Sequence, residues 1–504
     1  MNPLADALVA PLASRTDAVL FRPDGTEVKG TDLHALSGQI ANVLSQAGVV
    51  PGDRVAMQTG KSVEALALYL ACLRAGALFL PLNTAYTTAE LEYFLGDAEP
   101  RVAVCDLSAK ADLAPVAKDK GTTLLTLDGQ GKGSLMDQAA TADSAFADAQ
   151  RTPDDLAAIL YTSGTTGRSK GAMLSHNNLL SNADSLAEAW RFTKNDTLLH
   201  ALPIFHAHGL FVAVNVLLRV GGRMIFLPRF DADTVIANLP QATTMMGVPT
   251  FYTRLLSDDR FTRDLTGHMR LFISGSAPLL AETHRAFEDR TGHRILERYG
   301  MTETTMSTSN PYDGERRAGT VGFPLPRIEA RIVDIETGDP LPQGEAGILE
   351  VRGPNVFKGY WRMPEKTAEE FRDDGFFITG DVARIDDDGY VTIVGREKDL
   401  VISGGYNVYP KEVETEIDAM DGVVESAVIG TPHPDFGEAV VAVVVREAGA
   451  SIEAEQIQAA LQSRLAKFKC PKAVFFLDEL PRNTMGKVQK NELRKTYGDT
   501  FATP

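Results

Sequence analysis

The amino-acid sequence predicts an α/β protein with a large N-terminal body of layered α/β sheets, a β-rich subdomain and a small α+β C-terminal domain. Short apolar runs alternate with helical patterns in the first half, turns and short strands dominate from Gly319, and a mixed pattern resumes after Gly395. Apolar strands separated by helices are typical of layered sheets with parallel pairing. We therefore expect a body over residues 1–397, with its β-rich subdomain from about 319, and a mobile domain over 398–504.

The strands of the body are predicted where short apolar runs end at turn residues or at a helical pattern. An amphipathic helix is predicted over Ser62–Ala75, after the first of these strands. The predicted strands are Arg54–Gln58, Ala77–Leu82, Arg101–Asp106, Leu156–Tyr161, Arg223–Leu227, Thr243–Val248 and Met269–Ser274. Any one run has other readings, and the repetition along the chain supports the α/β prediction.

The last third of the chain predicts two further groups of elements. Short strands bounded by Gly, Pro and Asp-Gly turns indicate the β-rich subdomain, at Glu329–Val333, Gly347–Val351 and Tyr390–Val394. The small domain is predicted from a helix at Pro410–Met420, strands at Val424–Gly430 and Ala439–Arg446, a helix at Glu453–Lys467 and a strand at Ala473–Leu477.

Composition and charge exclude several classes of protein. The chain has 504 residues, 50 basic and 67 acidic side chains, and a net charge of −17. A protein this acidic is a poor candidate for coating nucleic acids or for binding an anionic membrane surface. Its cysteines, Cys72, Cys105 and Cys470, are far apart. This spacing argues against a disulfide framework or a Cys-rich metal site, and it favours a cytoplasmic location. No secretory signal is expected, because the N-terminus has no basic residues before its apolar ones and carries Asp6. No membrane helix is expected either, because Thr197–Leu218, the longest stretch without Asp, Glu, Lys or Arg, contains His, Pro, Gly and Asn.

The C-terminal tail reverses the sign of the charge. Between Leu461 and Lys495 there are nine basic and three acidic residues. A solvated helix face and a platform for phosphate groups both fit this charge, and the spacing does not decide between them.

A loop rich in glycine and hydroxyl residues directly follows the strand Leu156–Tyr161. Gly164 and Gly167 allow backbone N–H groups to turn inward, and Lys170 adds a positive charge. Such a loop suits a polyphosphate, although Lys170 stands before Gly171 and so departs from the Walker A order. The remaining candidate phosphate ligands in this loop are the hydroxyl residues Thr162, Ser163, Thr165 and Thr166.

The loop resembles the signature of the acyl-adenylate-forming superfamily, which includes acyl-CoA synthetases, peptide-synthetase adenylation domains and firefly luciferase. Further motifs of that superfamily follow in order over nearly the whole chain: Arg298–Glu303, Tyr360–Trp361, Thr379–Asp381, Gly395–Arg396 and Pro481–Lys487. The resemblance implies a large AMP-binding domain, a small C-terminal domain, and the use of ATP, Mg²⁺ and coenzyme A.

The resemblance also implies roles for individual residues. Lys487 would stabilise the charge that develops when a carboxylate attacks the α-phosphorus of ATP, and Glu303, with Thr302 beside it, would hold Mg²⁺. Asp381 would bind the ribose, and Arg396 would contact ribose or phosphate. Adenine would lie between Ser276-Ala277 and the strand formed by Glu297, Arg298 and Tyr299, with Tyr299 as the stacking ring.

Three more expectations follow from the same resemblance. Lys398 would be the hinge about which the small domain rotates between two half-reactions. Gly404 and Gly405 would then help to form the tunnel for the pantetheine arm of coenzyme A. A lysine acetyltransferase is an expected partner, because acetylation of Lys487 would remove its charge.

The acid is predicted from a narrower resemblance. Segments 201–210, 247–256 and 272–278 resemble the malonyl-CoA synthetase family. That family implies that Arg254 meets the second carboxylate of malonate, which would be costly to bury without a cation. His206, His208, Ser276 and Met306 would line the pocket, and Ala207, where that family often has Thr, leaves room for methylmalonate.

Two other functions remain open at this point. One is a synthetase for another short, medium-chain or long-chain acid, which a cationic pocket residue disfavours. The other is a non-catalytic nucleotide-binding or carrier-loading module, which the joint presence of Lys170, Glu303, Asp381 and Lys487 disfavours.

Overall fold

The computed structural model describes residues 1–162, 169–403, 406–483 and 486–501. Its strands, in chain order, are β1 Ala18–Phe21, β2 Glu27–Lys29, β3 Arg54–Gln58, β4 Leu78–Pro81, β5 Val102–Cys105, β6 Thr123–Thr126, β7 Leu156–Tyr161, β8 Gly171–Ser175, β9 Thr197–His200, β10 Arg223–Phe226, β11 Thr244–Gly247, β12 Leu271–Ser274, β13 Leu296–Tyr299, β14 Thr308–Ser309, β15 Phe323–Pro324, β16 Glu329–Val333, β17 Gly347–Arg352, β18 Phe377–Ile385, β19 Val391–Arg396, β20 Val401–Ser403, β21 Tyr406–Val408, β22 Val423–His433, β23 Gly437–Arg446 and β24 Ala473–Leu477.

Helices connect most of these strands. The α-helices are α1 Gly30–Gln46, α2 Val63–Ala75, α3 Thr88–Ala98, α4 Lys110–Asp119, α5 Ser134–Ala139, α6 His176–Ala189, α7 Asn215–Val220, α8 Ala232–Asn238, α9 Pro249–Leu256, α10 Arg263–Thr266, α11 Ala281–Thr291, α12 Pro364–Glu369, α13 Pro410–Asp418, α14 Ala454–Gln462 and α15 Lys490–Tyr497. Two π-helical segments, at Ala5–Val9 and His208–Val214, and 3₁₀ turns at Ala10–Ser14, Leu107–Ala109, Leu239–Gln241 and Glu397–Asp399 complete the helical structure of the described ranges.

Helix α2 is part of the central core of the body. The Ser62 side chain caps its first turn by accepting a hydrogen bond from the Ala65 backbone N–H, and Gly76 ends the helix in the left-handed region at φ 67°. All of its residues are buried, which corrects the prediction of an amphipathic helix: the helix is apolar on most sides and is enclosed by the core. Its two charged side chains are paired, Glu64 with Arg22 at 2.6 Å and Arg74 with Asp148 at 2.7 Å, which offsets the cost of burying them.

The larger sheet of the body positions the candidate site. Among the described residues its order is β15-β14-β13-β12-β11-β9-β10-β1-β2, and the six central strands, from β13 to β1, pair in parallel. The carboxyl ends of β9, β11, β12 and β13 therefore lie side by side at one edge. In open α/β sheets, ligands bind outside this edge.

A second sheet of the body has the order β6-β5-β3-β4-β7-β8 within the described ranges. Its strands pair in parallel from β6 to β7, as the sequence predicts. The pair β7–β8 is antiparallel instead, which corrects the expectation of uniformly parallel pairing. The reason is local: only the short loop 162–170 joins the two strands, and a parallel connection would need a crossover of a dozen residues or more.

Two smaller sheets follow on either side of the predicted domain boundary. The sheet β16-β17-β18-β19 is antiparallel and corresponds to the predicted β-rich subdomain. Strands β20 to β24 form the sheet of the small domain. The helix predicted at Glu453–Lys467 ends earlier, at Gln462, because the chain turns there to bring Ala473 alongside β23. The sequence and the structure thus agree on an α/β body followed by an α+β domain.

In the part of the chain that the structure describes, none of the helices has both the length and the apolar character needed to cross a bilayer.

Candidate active site

The loop that follows β9 brings predicted substrate residues to the carboxyl edge of the larger sheet. Ala207 and His208 are buried in it, and His206 is half-buried. The Nδ1 atom of His206 accepts a hydrogen bond from the backbone N–H of His208 at 3.2 Å. The Nδ1 atom of His208 lies 3.2 Å from the Oγ atom of Ser276, which follows β12. These contacts join His206, His208 and Ser276 into one group, here called the histidine wall, which the sequence analysis predicts to line the acid pocket.

Backbone strain accompanies this wall. Ser276 has φ 72° and Thr305 has φ 51°, which are uncommon values for residues other than glycine. Such conformations occur most often at functional sites, where the surrounding structure holds them in place. Met306, the remaining predicted pocket residue, is buried directly after Thr305.

Arg298 is a buried cation at the end of the larger sheet. It belongs to β13 and is 4% exposed. Its Nε and Nη2 atoms have no hydrogen-bond partner among the residues that the structure describes. Burial lowers the pKa of Arg298 to about 9. A buried guanidinium without an anion is costly, so this position is suited to an anionic ligand.

Two neighbours place Arg298 beside the histidine wall. Gly275 leaves the room that the guanidinium occupies, because a Cβ atom added at Gly275 would lie 2.3 Å from the Cζ atom of Arg298. Burial, with the charges of Lys487 and Arg298, lowers the pKa of His206 to about 3. Arg298 therefore adjoins the histidine wall and the region of Lys487.

Glu303 belongs to a buried network at the start of the loop after β13. Its carboxylate is 6% exposed and accepts a hydrogen bond from the Tyr360 hydroxyl at 2.9 Å. The same hydroxyl lies 2.6 Å from Oε2 of Glu370. Burial raises the pKa of Glu303, while the hydrogen bond from Tyr360 opposes that shift. Thr302, which precedes Glu303, is half-buried.

Lys170 joins this network from the predicted phosphate loop. Its ammonium lies 2.9 Å from Oε1 of Glu370 and 4.0 Å from the centre of the Tyr360 ring. The backbone N–H of Thr162 donates to the Lys170 carbonyl at 2.9 Å, so the two ends of the loop are held together. The predicted phosphate ligands Ser163, Gly164, Thr165, Thr166 and Gly167 lie outside the described residues.

The predicted ribose residues are joined to the predicted stacking ring. Asp381 lies in β18, where its register partner in β19 is Arg396. The Asp381 carboxylate is 3% exposed, lies 2.5 Å from Nε of Arg396, and accepts a hydrogen bond from the Tyr299 hydroxyl. The charge of Asp381 raises the pKa of Arg396. The structure thus brings Tyr299, Asp381 and Arg396 together beside the pocket.

Lys487 lies at the end of a tight loop of the small domain. Its backbone N–H donates to Oδ1 of Asn483 at 3.0 Å, and Arg482 donates to the Gly486 carbonyl at 2.6 Å. Gly486 has φ 76°, which favours glycine. The Lys487 side chain is exposed, and desolvation by the protein around it, together with the charge of Arg396, lowers the pKa of its ammonium. The charges of Asp381 and Glu303 oppose this shift.

Arg254 has a different position from Arg298. It is exposed on α9, and no hydrogen bond or ion pair is found for it among the described residues. Thr250, one helical turn earlier, lies beside Gly486. An anion held by Arg254 would remain in contact with water, unlike one held by Arg298. The role of Arg254 toward malonate stays a prediction.

The other predicted residues lie as follows. Glu297 is buried in β13, with its carboxylate near the Gly319 backbone N–H at 3.4 Å, and Ala277 is half-buried. Lys398 is in the 3₁₀ turn Glu397–Asp399, between the sheet of the β-rich subdomain and that of the small domain. Desolvation, followed by the charge of Arg396, lowers the pKa of Lys398 to about 8. Gly404 and Gly405 fall outside the described residues.

Two features of the site go beyond the sequence analysis. Arg298 was assigned to the adenine wall, and the motif offered no sign that its guanidinium would be buried without a partner. Tyr360 was recognised only as part of a motif, and Glu370 carried no signal at all. The contact between Glu370 and Lys170 joins residues 200 positions apart in the chain, so it depends on how the segment around α12 packs against the phosphate loop.

Two family models match the chain. The model of the AMP-binding enzyme family matches residues 11–361. The model of the AMP-binding enzyme C-terminal domain matches residues 412–487.

Among curated proteins, a feruloyl-CoA synthase from Amycolatopsis is 37% identical, covering 95% of this chain and 96% of its own length. A malonate–CoA ligase from Arabidopsis thaliana is 35% identical, covering 89% of this chain and 79% of its own length. Among solved structures, ATP-bound MatB from Rhodopseudomonas palustris is 61% identical over 99% of both chains with a TM-score of 0.97. The apo form of that protein aligns with a TM-score of 0.86.

Proposed function

The chain belongs to the AMP-binding enzyme family, and we propose that it is an ATP-dependent, AMP-forming malonate–CoA ligase. The acid, ATP and coenzyme A would give malonyl-CoA, AMP and pyrophosphate. The similarity to ATP-bound MatB and to a malonate–CoA ligase supports this proposal. The observation that carries the choice of acid is Arg298, a buried guanidinium whose Nε and Nη2 atoms have no hydrogen-bond partner in the described residues.

In the first half-reaction, one carboxylate oxygen of malonate attacks the α-phosphorus of ATP. The new P–O bond forms as the bond to the β-phosphate oxygen breaks, so malonyl-adenylate and pyrophosphate result. Lys487 stabilises the negative charge that accumulates between the two anions. Asp381 and Arg396 hold the ribose side of the nucleotide, and Tyr299 packs against the base.

The second carboxylate of malonate is the group that Arg298 would hold. A guanidinium and a carboxylate form two charge-assisted hydrogen bonds, and both unpaired nitrogen atoms of Arg298 are donors. His206 and His208 are neutral, because burial lowers the pKa of both, so neither supplies a competing charge. An alkyl chain in the same place would leave the guanidinium without an anion, which disfavours medium- and long-chain acids.

In the second half-reaction, the coenzyme A thiol attacks the acyl carbonyl carbon. The C–S bond forms, the bond to the AMP oxygen breaks, AMP leaves and the thiol loses its proton. We propose that Lys398 is the hinge for the rotation that separates the two half-reactions. The greater similarity to the ATP-bound than to the apo form of MatB supports the view that the arrangement described here serves the first one.

A magnesium ion fits the chemistry of the site. Mg²⁺ is usually held by one or two carboxylates together with phosphate oxygens, and Glu303 is a buried carboxylate near the phosphate loop. Within the described ranges, no group of three or more His, Cys, Asp or Glu side chains could hold a metal alone. Glu303 would therefore bind an ion that arrives with ATP, and that ion would neutralise phosphate charge.

Removing the Tyr360 hydroxyl tests the role of the Glu303 network. In Tyr360→Phe, both carboxylates lose their shared hydrogen-bond donor, so we expect kcat/KM for MgATP to fall about tenfold or more. KM for malonate should change little, because Arg298 is untouched. Steady-state kinetics with each substrate varied would measure both values. An equal rise in both KM values would contradict a role confined to the nucleotide.

The proposed function itself is tested by product analysis. Malonate, MgATP and coenzyme A should give AMP and malonyl-CoA, and malonate alone should support isotope exchange between pyrophosphate and ATP. Absence of exchange, with ATP binding intact, would instead indicate a non-catalytic nucleotide-binding module.

A further inference from the structure

Lys61 is a buried lysine that the reaction does not use. It lies between β3 and α2, is 8% exposed, and its ammonium is 4.3 Å from the centre of the Phe226 ring. In the residues the structure describes, no carboxylate forms an ion pair with it. Burying an amine in this way is costly, so its contacts have to provide a compensating benefit.

The hydrogen bonds of Lys61 found in the described residues are with His200, at the end of β9. The Nζ atom of Lys61 is 2.6 Å from Nδ1 of His200 and donates to the His200 carbonyl oxygen at 2.7 Å. The Nε2 atom of His200 lies 2.8 Å from the carbonyl oxygen of Gly209. A carbonyl oxygen accepts hydrogen bonds only, so Nε2 carries the proton and Nδ1 accepts from Lys61. The two contacts fix both the tautomer and the ring orientation.

The bond from His200 to Gly209 closes the base of the pocket loop. Residues 201–208 lie between these two points, and they include His206, Ala207 and His208. The closure is tight, because a Cβ atom added at Gly209 would lie 1.9 Å from the Pro203 carbonyl oxygen. The side chain of His200 thus joins the two ends of the loop through its hydrogen bond to Gly209, and Lys61 holds the His200 ring in place from the other side.

We propose that Lys61 and His200 are positioning residues for the acid-binding pocket, which hold the loop of His206, Ala207 and His208 against Arg298 without touching the substrate. The proposal rests on the proposed function, because it concerns the pocket that would bind malonate. The proposal predicts an effect on binding of the acid and not on binding of ATP, because the contacts of Lys61 and His200 described above involve neither the phosphate loop nor Asp381.

The test compares two substitutions at His200. His200→Leu removes both hydrogen bonds, whereas His200→Gln keeps an amide N–H to donate toward Gly209 and an oxygen to accept from Lys61. We expect KM for malonate to rise about tenfold in His200→Leu, the equivalent of one lost buried hydrogen bond. KM for ATP should stay within about twofold, and His200→Gln should recover most of the affinity.

Two further variants make the comparison decisive. Lys61→Met keeps His200 in place and removes only the amine, so it should raise KM for malonate in the same direction even if His200→Leu folds poorly. Tyr69→Phe is the matched control, because it removes a buried hydrogen bond to Asn215 at 3.1 Å outside the pocket loop. It should lower stability without changing either KM.

The proposal is overturned if His200→Leu and Lys61→Met leave KM for malonate unchanged, or raise KM for malonate and ATP equally. It is also overturned if His200→Gln is as impaired as His200→Leu. Failure of the proposed function would look different, because the unsubstituted enzyme would then form no AMP from malonate.

Discussion

Lys487→Ala is expected to reduce malonyl-adenylate formation about 10³-fold, because it removes the cation that we propose stabilises the charge developing at the α-phosphorus. Thioester formation from supplied malonyl-adenylate should be largely retained, since the lysine acts in the first half-reaction. Pyrophosphate–ATP exchange measures the first step, and malonyl-CoA formed from the adenylate measures the second. The rate of the first step should also fall as the pH rises through the lowered pKa of Lys487, where its charge is lost.

Lys495→Ala is the control for this experiment. Lys495 is a cation of the same tail, with a side chain that is 76% exposed and that pairs, among the described residues, with Glu492, so its removal should leave both half-reactions unchanged. Equal loss of both half-reactions in Lys487→Ala would contradict the separate role of this lysine, and so would pyrophosphate exchange at the unsubstituted rate.

Arg298→Leu is expected to lower kcat/KM for malonate by about 10²- to 10³-fold, which corresponds to ~3–4 kcal/mol for leaving a buried carboxylate without its cation. Use of butyrate should rise relative to malonate in the same variant, because an apolar pocket accepts an alkyl group. KM for ATP is expected to change much less. Initial rates of AMP release with the two acids would measure the change in preference.

Two companion variants distinguish the possible positions of the cation. Gly275→Ala should also impair malonate use, because its added Cβ atom would displace the guanidinium of Arg298 while leaving the charge in the chain. Arg254→Ala should have little effect if Arg298 holds the second carboxylate. A large loss of malonate selectivity in Arg254→Ala with none in Arg298→Leu would reverse the assignment.

The fold was largely predictable because its strands are buried on both faces. Continuous apolar runs such as Leu156–Tyr161 have few alternatives between turn residues, and the structure has a strand over the same range. The antiparallel pairing of β8 was not predictable from periodicity. It depends on the short connection through the phosphate loop, which the sequence analysis treated only as a ligand site.

The charges of the tail show where sequence reasoning stops. A cluster of nine basic residues left both a solvated surface and a phosphate platform open. In the structure, six of these residues form ion pairs with carboxylates of the small domain; they are Arg464, Lys469, Arg482, Lys490, Arg494 and Lys495. Those carboxylates are distant in sequence, except Glu492, so their proximity follows from tertiary packing and could not be read from local charge.

In the candidate site, too, some features could be predicted from local sequence and others depend on tertiary packing. The roles of motif residues such as Glu303, Asp381, Arg396 and Lys487 are predictions from the resemblance, and the structure brings Asp381 and Arg396 into direct contact. The sequence could not predict that the Nε and Nη2 atoms of Arg298 have no hydrogen-bond partner in the described residues. That property depends on which side chains of other segments pack around the guanidinium. The hydrogen bond between Lys61 and His200 could not be predicted either, because the two residues are 139 positions apart in the chain.

The most direct test of the central claim compares malonate with monomethyl malonate and butyrate in the release of AMP that depends on ATP and coenzyme A. All three present one reactive carboxylate on a short chain, and only malonate has a second carboxylate for Arg298. The account predicts that kcat/KM for malonate exceeds both other values by about 10²-fold or more. Equal or greater kcat/KM with butyrate or monomethyl malonate would contradict it.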